Sequence, residues 1–260
     1  MDIVKASPYL YLETTNYKTI LIMKTVDKME VLHSQSAEFV QKGETGKFLK
    51  LIPDTFIIKG EEKDGVFNQG YAIRHINRQD ILLIDVVEET TKDAVKKLVN
   101  DGYKIKGILI TCDHILKDAY VDLKTISEDA GDAPIFAHPR NNFKDSFKTK
   151  DITERKGVLK DFGLKVFDLP GNGGASVIIY SEVNDGMLFP GEDAEGSPYD
   201  SDLNTFKRPK MDKSNDDFGL AGSWSAFDEE FAYLFPRKGK PGFNIEEGQQ
   251  TDILNSLSKK

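Results

Sequence analysis

Short apolar runs recur along most of this chain, and their period changes from two to about 3.6 and back. Strand-like pieces with β-branched and aromatic residues occur at Tyr9–Leu12 and Thr19–Met23, then at residues 56–59, 71–76, 81–87 and 106–111. Between the last two, Ala94, Val95, Leu98 and Val99 form one apolar stripe at helical spacing. Thr90, with Asp93 three residues on, is close to a capping box at the start of that helix, and Gly102 is its stop. A second helix is predicted from about Leu116 to Ala130, with Tyr120, Leu123 and Ile126 facing the same way and Gly131 following. Strands return at 164–168 and 176–180. Residues 191–217 are nearly all polar and read as a long loop. A last helix is predicted from about Ser225, carrying Phe227, Phe231 and Leu234, and the final ten residues are expected to fray. Strands grouped with helices in both halves predict an α/β (α+β) chain folded as a four-layer αβ/βα sandwich, two sheets between helical layers.

Composition narrows this picture. The 260 residues are 39% hydrophobic and 30% charged, enough to bury a substantial core. No apolar run approaches the roughly 18 residues a membrane span needs. The N-terminus lacks a charged region followed by an apolar one, so no signal peptide is expected. The single cysteine excludes an internal disulfide framework, and a cytoplasmic location is expected. A net charge of −8 disfavours nucleic acid as the main partner. The chain divides into a β-rich N-terminal extension (1–49), a main domain (50–245) and a polar tail (246–260).

The richest chemistry lies in Ile108–Asp118, where an apolar run meets Thr111, then Cys112, Asp113 and His114, then a helical pattern. It resembles the metallo-β-lactamase superfamily, whose strand ends in Thr-His-x-His-x-Asp-His. The resemblance extends through Gly65–Ile73 and Ile81–Asp85 to Pro134–Pro139. Pro170–Ser176 is similar to the Pro-Gly-His-Thr-x-Gly-Ser turn, Leu188–Glu192 to Leu-Phe-Thr-Gly-Asp, and Leu234–Gly239 to the late Leu-x-Pro-x-His-Gly segment. Order and spacing agree over roughly residues 50–240.

That resemblance implies a dinuclear hydrolase in which most metal ligands are replaced. The first-metal positions are Cys112, His114 and Asn172, and the amide of Asn172 is a poor zinc ligand. The second-metal positions are Leu116, Lys117 and Lys238, one without a lone pair and two cationic. Glu192 stands at the bridging carboxylate. No cofactor is expected. The alternative is one zinc on Cys112, His114 and Glu192 with a water. A buried carboxylate without its metal needs another cation, so Lys117 and Lys238 are expected to pair with Glu192 or Asp193. Asp85, Asp113, His138 and Asp193 are further pocket candidates, His138 as a hydrogen-bonded structural group. Catalytic residues are not identified.

Other readings are weaker. Cys112 as a nucleophile would need nearby positive charge, and a buried cysteine is more often an apolar filler. Pro170–Gly174 lacks the lysine and hydroxyl of a phosphate-binding loop. The acidic residues of 191–217 lack calcium-loop spacing. Tyr199, Phe206, Phe218, Trp224 and Phe227 form either a lid or an anchor for that segment. The sequence thus favours a pseudoenzyme that binds a small molecule or a protein partner, with a homodimer implied by the resemblance. A divergent mono-metal or metal-independent hydrolase of esters, thioesters, lactams or phosphoesters is the alternative.

Overall fold

The structure is a computed structural model. It describes residues 40–63, 66–141, 148–154, 156–169, 174–201, 205–211 and 214–259; for residues 63, 114, 116–122, 214–216 and 218 the backbone alone is described. The expected strands at Tyr9–Leu12 and Thr19–Met23 lie outside these residues.

Seven strands form the first sheet in sequence order: β1 (Phe48–Ile52), β2 (Thr55–Lys63), β3 (Val66–Arg74), β4 (Asp80–Ile84), β5 (Lys104–Leu109), β6 (Ile135–Ala137) and β7 (Thr149–Asp151). The first four are antiparallel neighbours, and β4 to β7 run parallel. Parallel neighbours need crossovers, which α1 (Lys92–Asn100) supplies between β4 and β5 and α2 (Asp113–Asp129) between β5 and β6. After the short α3 (Val158–Asp161), a second sheet has the order β13-β10-β9-β8, from β8 (Leu164–Leu169), β9 (Ser176–Ser181), β10 (Met187–Gly191) and β13 (Tyr233–Pro236). β11 (Glu195–Gly196) and β12 (Phe206–Lys207) make a small ladder. Helices α4 (Ser214–Ser225) and α5 (Glu247–Ser258) complete the chain.

The side-chain period of two explains the layering. In β4, Leu82 and Ile84 enter the core between the sheets, while Ile81 and Leu83 pack beneath Val95 of α1 and Leu123 and Ile126 of α2. In β9, Val177 and Ile179 face the first sheet, while Ile178 and Tyr180 meet Leu220 and Trp224 of α4 and Leu257 of α5. A strand buried on both faces reads as a continuous apolar run. Between the sheets, Tyr71, Phe189 and Phe235 form a ring cluster with centroids 5.3–5.5 Å apart.

Two expectations change near the C-terminus. The helix expected from Ser225 ends there instead, and Phe227 and Phe231 are buried from a loop before β13. The expected frayed tail is α5, whose start carries a reciprocal capping box between Glu246 and Gln249 and whose Leu257 is buried. The helix expected to begin at Thr90 starts at Lys92, after one 3₁₀ turn; Thr91 occupies the cap without a side-chain cap bond. Gly102 and Gly131 do follow α1 and α2 with positive φ. β1 crosses the boundary at residue 49, and Val40 is fully buried in the inter-sheet core.

Candidate functional site

Four strand ends meet at one end of the sandwich. β4 delivers Asp85, β5 delivers Thr111 and Cys112, β10 delivers Gly191 to Asp193, and β13 delivers Arg237 and Lys238. Three contacts fix their mutual position. Val177 N–H donates to Thr111 O at 2.8 Å, Arg237 N–H to Gly191 O at 2.8 Å, and Gln69 N–H to Arg237 O at 2.8 Å. Gly191 also touches Thr111: a Cβ there would stand 2.0 Å from Thr111 Oγ1, and φ is +59°. Only glycine fits both conditions.

Asp85 braces the turn that presents Cys112. Its Oδ1 accepts from Thr111 N–H at 2.9 Å and its Oδ2 from the Thr111 hydroxyl at 2.6 Å. Burial raises this carboxyl from the ordinary 3.8 to about 6, against the opposing pull of Arg237 and the Thr111 bonds.

Cys112 is fully buried just before α2. Burial, then the charges of Glu192, Asp85 and Asp193, push its thiol well above the usual range. This neighbourhood favours the neutral thiol, the opposite of what the nucleophile reading requires.

The charged floor centres on Arg237, whose side chain is 4% exposed. One guanidinium nitrogen donates to Asp85 O at 3.1 Å and another to Glu88 Oε1 at 2.6 Å. Its Nε lies 3.4 Å from Glu192 Oε1. Lys238 Nζ reaches the same Glu192 oxygen at 3.2 Å, the pairing expected of it. Glu88 also accepts from Asn68 Nδ2 at 3.2 Å. Arg237 and Glu88 were missed in the sequence, although an arginine immediately after the apolar run Tyr233–Pro236 is a signal that a charge is carried inward.

The remaining predicted positions fall as follows. Cys112, Asp85, Glu192, Asp193 and Lys238 come together. Asp193 is fully buried, and its backbone carbonyl accepts from Trp224 Nε1 at 3.1 Å. Asp113, partly buried, opens α2. His114, Leu116 and Lys117 lie in the first turns of α2, where only backbone is described, and Asn172 lies outside the described residues. His138 stands apart. Its Nδ1 accepts from Arg140 N–H at 3.1 Å, and its Nε2 lies 3.3 Å from Asp168 Oδ1. Among the described residues, no group of three or more His, Cys, Asp and Glu is arranged to hold a metal ion.

Of the aromatics that bracket residues 191–217, Tyr199, Phe206, Trp224 and Phe227 act as anchors, and the Phe218 side chain lies outside the described residues. Phe206, Trp224 and Phe227 are buried in the core of the second sheet and its helices. Tyr199 packs against the inter-sheet core and donates to Gln69 Oε1 at 3.0 Å. The Gln69 amide in turn donates to Gly239 O, which ties the Arg237–Gly239 loop to β3.

No protein-family model matches the chain, and no curated protein matches it in sequence. Solved structures do. The DIM-1 metallo-β-lactamase superposes with a TM-score of 0.57 at 16% identity, over 83% of this chain and 99% of that one. A metallo-β-lactamase from Hirschia baltica gives 0.59 at 16%, over 84% and 100%.

This is the metallo-β-lactamase fold.

The flavodiiron core of Flv1 from Synechocystis is similar as well, with a TM-score of 0.57 at 12% identity, over 82% of this chain and 61% of that one. In this metallo-β-lactamase fold, the segments around Cys112, Glu192 and Lys238 sit at converging strand ends. No helix among the described residues is long and apolar enough to cross a membrane.

Proposed function

We propose that this chain is a pseudoenzyme on the metallo-β-lactamase fold, in which protein cations occupy the place of the metal centre and the pocket binds a small molecule. The observation that carries this reading is the double engagement of Glu192. Its Oε1 has Lys238 Nζ at 3.2 Å and Arg237 Nε at 3.4 Å. The donor set does not fit a dinuclear centre. The carboxylate at the bridging position is already neutralised, Leu116 has no lone pair, and Lys117 and Lys238 carry donors only.

The energetics support the same reading. Glu192 is partly buried, its side chain 17% exposed, and a carboxylate so withdrawn from water is destabilising when it loses its cation unless another replaces it. Arg237 is a suitable replacement, because a planar guanidinium serves several acceptors at once. Here it donates to Asp85 O and Glu88 and stands in ion-pair range of Glu192. Lys238 is 36% exposed and pairs with Glu192. An ammonium has three donors, so it can also meet a ligand carboxylate or phosphate.

Thermal-shift titration of the zinc-free protein with small carboxylates and phosphates tests this, beside Lys238→Met. Parallel assays with ester, thioester, lactam and phosphoester substrates are run with and without zinc. The proposal expects a stabilising ligand whose shift is lost in Lys238→Met, and no zinc-dependent turnover. Zinc-dependent turnover would overturn it in favour of a one-metal hydrolase.

A further inference from the structure

Four consecutive backbone carbonyls around Lys238 are engaged by donors from other segments. Pro236 O accepts from the Tyr71 hydroxyl at 2.6 Å, Arg237 O from Gln69 N–H at 2.8 Å, Lys238 O from Gly196 N–H at 2.9 Å, and Gly239 O from Gln69 Nε2. Two of these donors belong to Gln69, which is fully buried in β3. Its neighbour Asn68 makes an isolated antiparallel bridge with Lys238, so β3 lies directly beside the loop that follows β13.

The neighbours hold the Gln69 amide in one orientation. Gly239 O can only accept, so the NH2 end faces it. The carbonyl end then accepts from the Tyr199 hydroxyl at 3.0 Å. Tyr199 lies on the segment that leaves Glu192. That segment is tied to the Lys238 loop twice more, by Gly196 N–H to Lys238 O and by Lys240 N–H to Ser197 O at 2.8 Å. A Cβ on Gly239 would stand 2.1 Å from Gly196 O, so the two segments pack backbone against backbone. Gln69 therefore holds the segment after Glu192 with one end of its amide and the segment after Lys238 with the other. A lysine side chain carries much rotamer freedom, and a loose backbone beneath it would add to what binding must order.

We propose that Gln69 is a positioning residue of the binding site: its amide, oriented by Tyr199, sets the place of Lys238 against Glu192 and so the affinity for an anionic ligand. Being buried, Gln69 meets no ligand itself. The affinity part of this inference rests on the proposed role of Lys238 in binding a carboxylate or phosphate.

Two readouts test it, one with a ligand and one without. Gln69→Leu keeps the backbone donor to Arg237 O and removes both side-chain bonds. Tyr199→Phe removes only the orienting hydroxyl and takes its place if the first variant misfolds. Inorganic phosphate, titrated against the zinc-free protein, is expected to bind about fivefold or more weakly in Gln69→Leu. Its affinity is expected to be unchanged in Ile73→Val, which thins the inter-sheet core near the other end of β3. Unchanged affinity in Gln69→Leu, or an equal loss in Ile73→Val, would overturn the proposal. The pair is read without ligand after reductive methylation of the lysines with a 13C label, the Lys238 signal being identified by its loss in Lys238→Arg. Glu192→Gln is expected to move this signal in the wild type, and by less than about half as much in the Gln69→Leu background, because coupled groups lose their interaction when their geometry is released. An equal move in both backgrounds, or none in the wild type, would overturn the proposal. A wild type that binds no phosphate strikes the anion-binding reading alone, and the methyl signals then decide the role of Gln69.

Discussion

Lys238 Nζ lies 3.2 Å from Glu192 Oε1, and the two residues follow neighbouring parallel strands. The pairing of Gly191 with Pro236 sets that distance, because it brings the next residues of both strands side by side. Arg237, between Pro236 and Lys238, points into the same carboxylates from the buried side.

The two cations are therefore expected to differ sharply on substitution. Arg237→Met leaves Glu88 and Glu192 without their buried partner, and a loss of about 3 kcal/mol is expected. Lys238→Met removes a partly solvated partner and is expected to cost less than about 1 kcal/mol. Urea midpoints of the two variants beside the wild type measure the contrast. Equal losses would refute the separation of a structural arginine from a ligand-facing lysine.

Asp85 makes stability depend on pH in a direction opposite to most carboxylates. Its folded value, about 6, lies above the ordinary 3.8, so the folded state binds this proton more tightly than the unfolded chain. The associated stability is complete below about pH 4 and is lost as pH rises through about 6, a change on the order of 3 kcal/mol. Asp85→Asn is expected to flatten this part of the profile between pH 4 and 7, read from denaturant midpoints. An unchanged slope would assign the dependence to other groups.

Gly191 and Gly248 form a matched pair. Gly191→Ala forces a Cβ onto the Thr111 side chain at positive φ, and a loss of about 3 kcal/mol or more is expected. Gly248 in α5 has open space around its Cβ position, so Gly248→Ala is expected to be neutral or to stabilise by up to about 1 kcal/mol. Thermal melting of both variants decides; a tolerated Gly191→Ala would mean that the β5 and β10 ends are not locked together.

Cys112 is expected to resist a thiol reagent in the folded protein at pH 8 and to react fully in denaturant, because it is fully buried and its thiol stays protonated. Rapid labelling of the native chain would contradict that environment.

Much of the layering was legible in the sequence because strands buried on both faces announce themselves. Ile81–Ile84 and Val177–Tyr180 are continuous apolar runs. The glycine stops after α1 and α2 were equally plain. The last helices were not. Phe227, Phe231 and Leu234 have helical spacing, yet the first two pack from a loop and the third belongs to β13. α4 was hidden by its glycines and serines, and α5 by its polar surface, although Ile253, Leu254 and Leu257 supply an apolar stripe. At the site, Lys238 is legible because it stands at the His position of the Leu-x-Pro-x-His-Gly segment that Leu234–Gly239 resembles. The place of Arg237 after an apolar run marks a charge carried inward, but its partners, Glu88 and Asp85 O, lie about 150 residues away, so the network is not legible in the sequence.

Zinc content bears most directly on the central claim that Arg237 and Lys238 stand where a metal would be. The protein is purified without chelator, exposed to excess zinc, dialysed and analysed for metal beside Cys112→Ala. Retained zinc far below one ion per chain is expected in both proteins. One tightly held zinc per chain, lost in Cys112→Ala, would contradict that claim.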